Sequence, residues 1–314
     1  MYISHISSYV PEIIVTNDYL SKINGLSEEW MQSRTGIRER RKAPVGENTH
    51  TMALEAIKKL LESPPCPPEE IDLIVGGTYT PHDTIHTLAH AAQNFLNISD
   101  IPVISLSTAC SSFANVMELI QGYFAMNKAR RALAIVSDHN TAYSNETDQV
   151  GGHLWGDGAA ALLISRERLS EKDVYVRDII TGGAGNVGKA PEGVFLKPIK
   201  EGFVMKHGRD VFQYACQYMT TVTRKILERN NYQLGDLDYF IPHQANLRIT
   251  QNVARNLELD NNRALSNIEY LGNTGCAGCT IALHEHWHRF RKGDVIVVTV
   301  FGGGYSYGSL LLEC

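Results

Sequence analysis

Ile101-Pro-Val-Ile-Ser-Leu-Ser-Thr-Ala-Cys110-Ser-Ser-Phe-Ala-Asn-Val-Met-Glu-Leu-Ile-Gln-Gly-Tyr-Phe124 changes its period in the middle. Up to Leu106 the apolar residues run together as in a buried strand, and from Phe113 they recur at helical spacing. Cys110 therefore stands where a strand turns into a helix. That place offers unpaired backbone N–H groups and the positive end of a helix dipole, which together favour a thiolate. Two readings follow: a reactive nucleophile, or a small hydrophobe, since free cysteine is among the most buried residue types.

The chain has 314 residues, long for one core and enough for two packed halves or one large α/β unit. Hydrophobic residues at 43% and charged residues at 20% describe an ordinary globular protein. A net charge of -5 argues against a nucleic-acid binder held by phosphate contacts. No apolar run is long enough to cross a bilayer, and Met1-Tyr-Ile-Ser-His-Ile-Ser7 lacks the regions of a signal peptide, so no membrane partner and a cytoplasmic location are expected. The six cysteines are scattered, as reduced thiols are. Cys276-Ala-Gly-Cys279 lacks the second pair of a zinc site and reads as two packing residues at a turn.

Apolar runs at 71–78, 131–137, 158–164, 237–241 and 294–301 alternate with helical patterns at 51–61, 113–124, 208–230 and 279–291. This is an α/β alternation, and the glycine-rich stretch 177–203 reads as an irregular join. The order helix, acidic turn, apolar strand occurs before 75 and again before 241, and each half later reaches another apolar strand. The expected architecture is two similar halves, 1–170 and 171–314, with mostly parallel sheets layered between helices. His82, His86 and His90 have metal-ligand spacing, but Pro81 starts the helix after His82 and no carboxylate is in register, so no metal site is expected. Trp30 beside the basic run Arg34 to Lys42 reads as a solvated face, or as a site that stacks a purine and grips phosphates.

A cysteine nucleophile needs a base or hydrogen-bond partner and an oxyanion site. His243 follows an apolar strand, Asn273 sits between Gly272 and Gly275, and Gly302-Gly303-Gly304 ends the last strand. All share with Cys110 the C-terminal ends of strands, where ligands gather in α/β sheets. Singly, each has a plainer meaning: a core histidine, a turn asparagine, a turn of glycines.

Together, Thr108-Ala-Cys110-Ser-Ser, Pro242-His243-Gln-Ala-Asn246-Leu-Arg248-Ile, Gly272-Asn273-Thr-Gly-Cys-Ala-Gly and Phe301-Gly-Gly-Gly-Tyr resemble the β-ketoacyl-[acyl carrier protein] synthase III family. Glu29-Trp30-Met-Gln-Ser-Arg34-Thr-Gly-Ile-Arg38-Glu-Arg40 and Trp155-Gly-Asp-Gly-Ala match its other motifs, in the family's order along the whole chain. The resemblance implies a thiolase-like fold, a homodimer and a Cys-His-Asn site. Cys110 would take an acyl group from a thioester. His243 and Asn273 would hold the thioester carbonyl of malonyl-acyl carrier protein while it loses carbon dioxide, and the N–H groups of Cys110 and Gly303 would bind the oxyanion of acyl transfer. Trp30 and Arg34 would grip the nucleotide end of coenzyme A, Asn246 would line the pantetheine path, and Arg248 would face an acidic carrier protein. Ile85, His86 and Ser112 would surround the acyl group. No resident cofactor or metal is implied, because thioesters of coenzyme A or acyl carrier protein are the substrates.

Departures from the pattern touch substrate choice. Ser111-Ser112 stands for Ala-Gly, Ile85-His86 for an aromatic residue and proline, Gln149 for arginine, and His153 for an apolar residue. They point to a longer or carrier-bound acyl donor. The alternatives are a specialised relative, which condenses with a β-ketoacyl thioester or acylates oxygen or nitrogen, and a non-catalytic partner subunit. The complete Cys110, His243 and Asn273 set weighs against the second.

Overall fold

The computed structural model describes residues 1–197, 202–260 and 262–314. Its strands are β1 (Tyr2–Tyr9), β2 (Ile13–Thr16), β3 (Glu39–Lys42), β4 (Leu73–Gly77), β5 (Val103–Leu106), β6 (Arg131–His139), β7 (Asp157–Ser165), β8 (Val174–Gly183), β9 (Phe195–Lys197), β10 (Gly202–Val204), β11 (Tyr239–Pro242), β12 (Val295–Gly302) and β13 (Ser306–Glu313). Its helices are α1 (Asn17–Asn24), α2 (Glu28–Thr35), α3 (Thr49–Leu60), α4 (Leu88–Leu96), α5 (Ser112–Ala125), α6 (Ala190–Gly193), α7 (Gly208–Arg229), α8 (Leu247–Asn256), α9 (Ile268–Leu271) and α10 (Gly278–His286).

Nine strands form one mixed sheet in the order β11-β12-β13-β8-β1-β7-β6-β4-β5. Only β4/β5, β4/β6 and β11/β12 pair in parallel. The other neighbours are antiparallel, which corrects the expectation of mostly parallel sheets. The reason is connection length. A parallel neighbour needs a crossover of a dozen or so residues, whereas Gly303-Gly304-Tyr305 between β12 and β13 suffices only for a hairpin. The stretch expected as an irregular join is ordered at its start, since β8 runs to Gly183 and pairs along β13.

The sheet repeats itself about β1 and β8, which meet at Tyr2↔Tyr175 and Ile3↔Val174. From there β1-β7-β6-β4 and β8-β13-β12-β11 follow the same series of directions, antiparallel, antiparallel, parallel. The two sequence echoes, β4 with β11 and β6 with β12, fall at matching places.

α5 and α10 form the middle layer, packed among strands of both halves. Their buried Phe113, Val116, Met117 and Ile120, with Ile281 and Leu283, share one core with β1, β4, β6, β12 and β13. α3 and α4 cover the outer face of the first half, and α7 and α8 that of the second. The nucleophile turn leads into one central helix and the Asn273 turn into the other, so the two halves bring their strand ends together. Among the described residues, no helix is long and apolar enough to cross a membrane.

Candidate active site

Cys110, His243, Asn273 and Gly303 line one cavity of about 400 Å³. Most of the remaining wall is apolar, with residues from α6, α7, α8, β9, β10 and the end of β12. Cys110 thus gains its partners from strand ends far apart in sequence.

The turn that carries Cys110 is held open by force of geometry. Ala109 adopts φ +50°, a left-handed conformation rare for a residue with a side chain. Ser111 Oγ donates to the Thr108 carbonyl and Ser112 Oγ to the Ala109 carbonyl, both at 2.6 Å, and Ser112 Oγ accepts from Thr108 N–H at 3.0 Å. Ser112 is fully buried and absent from the cavity wall. Its expected place around the acyl group is therefore corrected: it clamps the turn. Gly302 closes the other side, where a Cβ would lie 2.8 Å from Cys110 N and 3.0 Å from Ser111 N.

The expected thiolate is not the resting form. Burial first, and the Asp138 carboxylate second, push the Cys110 thiol from 9.0 up to about 12. That rise corresponds to about 4 kcal/mol, more than the roughly 0.3 to 2 kcal/mol available from a helix terminus. Cys110 rests as a thiol and needs a base as it reacts.

His243 follows β11, and its N–H donates to the Thr299 carbonyl on β12 at 2.7 Å. Its ring is buried, and burial lowers its pKa to about 4, so the imidazole is neutral at neutral pH. A neutral imidazole has one N–H and one lone pair, and can donate to an oxygen or take a proton from a thiol.

Asn273 is fixed by its main chain before its side chain is considered. Its N–H donates to the Leu154 carbonyl at 2.8 Å, and its carbonyl accepts from Gly156 N–H at 3.0 Å. Its Oδ1 accepts from Gly275 N–H at 3.0 Å, which leaves the NH₂ as the donating end. His243 and Asn273 are thus two neutral donors in an apolar cavity, an arrangement suited to charge developing on oxygen.

Three polar residues behind this site were not singled out from sequence. Tyr79 lines the cavity with its Oη 3.9 Å from Cys110 Sγ, and that hydroxyl donates to Asn140 Oδ1 at 2.7 Å. Buried Asn140 donates in turn to the carbonyls of Gly156 at 2.7 Å and Asn273 at 3.2 Å. Asp138 Oδ1 accepts from Thr78, Tyr79 and Thr80, and its Oδ2 accepts from Cys276 N–H at 2.7 Å. Burial raises that carboxyl to about 6. Tyr79 follows an apolar strand just as Cys110 does, the one signal that could have found it.

The substrate residues lie farther out. Trp30 is exposed on α2, with the Arg34 guanidinium 6.0 Å from its ring centroid and the buried His153 ring 5.6 Å away. The end of α2 packs on the start of α8, for a Cβ at Gly36 would meet Leu247 at 2.4 Å. Asn246 caps α8 by accepting from Ile249 N–H at 3.1 Å, Arg248 is exposed, and their neighbours Ala245 and Ile249 line the cavity. Ile85 and His86 are corrected: both are exposed on the loop before α4, Ile85 at 85%, and neither lines this chain's cavity. Of the spaced histidines only His90 is helical, because α4 begins at Leu88, and among the described residues no group of three His, Cys, Asp or Glu could hold a metal ion. Cys276 and Cys279 are both buried, as packing residues are.

Comparison with known proteins agrees with this geometry. Residues 104–183 match the family profile for 3-oxoacyl-[acyl-carrier-protein] synthase III, and residues 227–314 match the profile for its C-terminal part. A β-ketoacyl-[acyl-carrier-protein] synthase III from Actinobacillus pleuropneumoniae is 33% identical over 308 residues, 98% of this chain and 97% of that protein. The crystal structure of the 3-oxoacyl-[acyl-carrier-protein] synthase III from Aquifex aeolicus, 32% identical, superposes with a TM-score of 0.92 over 100% of this chain and 99% of that one. The Thermus thermophilus enzyme, 28% identical, gives 0.91 over 100% and 99%. The chain belongs to the β-ketoacyl-[acyl-carrier-protein] synthase III family of thiolase-fold acyltransferases.

Proposed function

We propose that the protein joins a Cys110-bound acyl group to malonyl-acyl carrier protein with loss of carbon dioxide. Cys110 Sγ attacks the carbonyl of an acyl thioester, of coenzyme A or of a carrier protein, and its proton passes to the departing thiol. His243 in its neutral form is the base at hand. The malonyl thioester then loses carbon dioxide, and the electron pair of the broken carbon–carbon bond becomes an enolate. His243 and Asn273 donate to the enolate oxygen. The enolate carbon attacks the acyl carbonyl, the carbon–sulfur bond breaks, and Cys110 leaves as a thiolate that regains a proton. The N–H groups of Cys110 and Gly303 serve the tetrahedral oxyanions. Each such donor in a dry site is worth on the order of 3 kcal/mol. Coenzyme A and the carrier act as substrates, and no resident cofactor takes part.

The observation that supports this reading is the meeting of Cys110, His243, Asn273 and Gly303 on one apolar cavity. Trp30 and Arg34 serve the nucleotide end of coenzyme A, and Arg248 the carrier protein. The protein works as a homodimer in the cytoplasm; β5 ends the nine-strand sheet with an open edge of the kind that a second copy can cover. Intact-protein mass spectrometry with acyl thioesters, followed by malonyl-acyl carrier protein, tests the reaction. An adduct on Cys110 discharged as a 3-oxoacyl product is expected, and condensation by Cys110→Ala would overturn it.

A further inference from the structure

We propose that the acyl group reaches Cys110 from a carrier protein rather than from coenzyme A; this rests on the acyl-carrying role above and chooses between its two donors. Both thioesters present a pantetheine arm, and they differ in what holds its outer end. The nucleotide end of coenzyme A bears a diphosphate and a phosphate monoester, about four negative charges at neutral pH. A carrier protein brings one phosphodiester and a broad acidic surface.

The basic run beside Trp30 is engaged within the protein. Arg40 is buried and donates to the His153 carbonyl at 3.0 Å and to Asn17 Oδ1 at 2.7 Å. Arg38 pairs with Glu269 at 3.1 Å, Lys42 pairs with Glu146 at 2.5 Å, and Arg41 donates to the Pro11 carbonyl at 3.4 Å. Gln149, where an arginine would add charge, donates to the Asn24 carbonyl at 2.7 Å. The His153 ring next to Trp30 adds none, because burial first and the Arg40 charge second hold it neutral. Among the described residues, only Arg34 of the run from Arg34 to Lys42 has neither an ion pair nor a side-chain hydrogen bond, and the same helix exposes Glu28 and Glu29, which have none either. Trp30 and Arg34 are then all that a nucleotide end finds here, with two free carboxylates against the one free cation.

α8 has the opposite balance. It starts beside the cavity, with Ala245 and Ile249 in the wall, and carries no acidic residue. Its buried Ile249, Val253 and Ala254 face the core, which leaves Arg248 and Arg255 exposed; seven residues apart, they share one face of the helix. Neither side chain has a partner among the described residues. An acidic protein that holds its arm over this helix meets complementary charge, and such charge acts on the rate of encounter more than on affinity. The donor should therefore be chosen by rate, and one face would receive the acyl donor and the malonyl acceptor in turn. Of the departures that touch substrate choice, Gln149 and His153 bear on the carrier of the donor.

The test is a competition in one tube. The protein is given acyl-coenzyme A and an equal concentration of acyl carrier protein loaded with the same acyl group in deuterated form, as an acetyl pair and as a hexanoyl pair. Light and heavy adducts on Cys110 are weighed at early times by intact-protein mass spectrometry. A ratio of adducts within one sample is independent of the fraction of a variant that folds. Wild type is expected to favour the heavy label by at least ~10-fold, within what charge steering adds to an association rate. Glu28→Lys with Glu29→Lys should lower that ratio by improving uptake from coenzyme A, and Arg255→Glu should lower it by slowing the carrier, each by about 3-fold, the size of one exposed charge pair. A wild type that takes the light label as readily, or charge variants that leave the ratio where it was, would overturn the choice of donor alone. No Cys110 adduct from either donor would overturn the acyl-carrying reading and this proposal with it.

Discussion

The Gly275 N–H donates to Asn273 Oδ1 at 3.0 Å, and that single bond decides which end of the Asn273 amide faces the chemistry. Only an oxygen can accept it, so the NH₂ is left to donate. Asn273→Asp keeps the acceptor and loses the donor. Acylation of Cys110 should persist, while carbon dioxide release from malonyl-acyl carrier protein should fall ~100-fold, the measured cost of losing one such donor. Equal loss of both half-reactions would argue that Asn273 merely holds the fold.

Gly302 leaves no room for a methyl group. Its Cβ would press on the main-chain N of Cys110 and Ser111, atoms of a turn already strained at Ala109. Gly302→Ala should lower stability by about 1–3 kcal/mol, as overpacking does, and abolish acylation. Gly303→Ala would meet the Val194 side chain at 3.0 Å and the Val194 carbonyl at 3.3 Å, contacts looser than those at Gly302, and should unfold later. Thermal denaturation of the pair reads the difference.

Alkylation of Cys110 follows its thiolate fraction. With the thiol pushed up to about 12, the iodoacetamide rate should climb with pH from neutrality through pH 9 without a plateau. A plateau near pH 7 would mean that the turn supports a resting thiolate after all.

Burial of His243 couples stability to pH. Its folded pKa of about 4 lies below the ordinary 6.5, so the unfolded chain binds the extra proton between those values. Stability from this group is full above pH 6.5 and declines as pH falls toward 4. The ceiling is about 3 kcal/mol. His243→Gln should therefore flatten the fall of Tm across that window. Buried Asp138, raised to about 6, acts in the opposite sense, and its contribution stays in the variant.

Ser112→Ala should separate a turn clamp from an acyl-pocket wall. The Thr108 N–H loses its acceptor, while the Ala109 carbonyl keeps the Ser112 N–H at 3.1 Å as its other donor, costing about 1–3 kcal/mol by urea denaturation. Acyl-chain preference should not move.

Local sequence determined the elements and the identity of the chemical groups. The change from a run of apolar residues to helical spacing around Cys110, the strands ending at His243 and Gly302, and the turn at Asn273 are all short-range patterns, and each marks a strand end. Tertiary structure decided the rest, because it depends on residues far apart along the chain. Strand direction in the middle of the sheet came from connection length and pairing. The protonation of Cys110 came from burial and Asp138, which outweigh the helix terminus that sequence shows. Ser112 turned inward and Ile85 outward for reasons of packing. Tyr79, a residue after β4 with no motif of its own, became the neighbour of the nucleophile only when the sheet set the ends of β4 and β5 side by side.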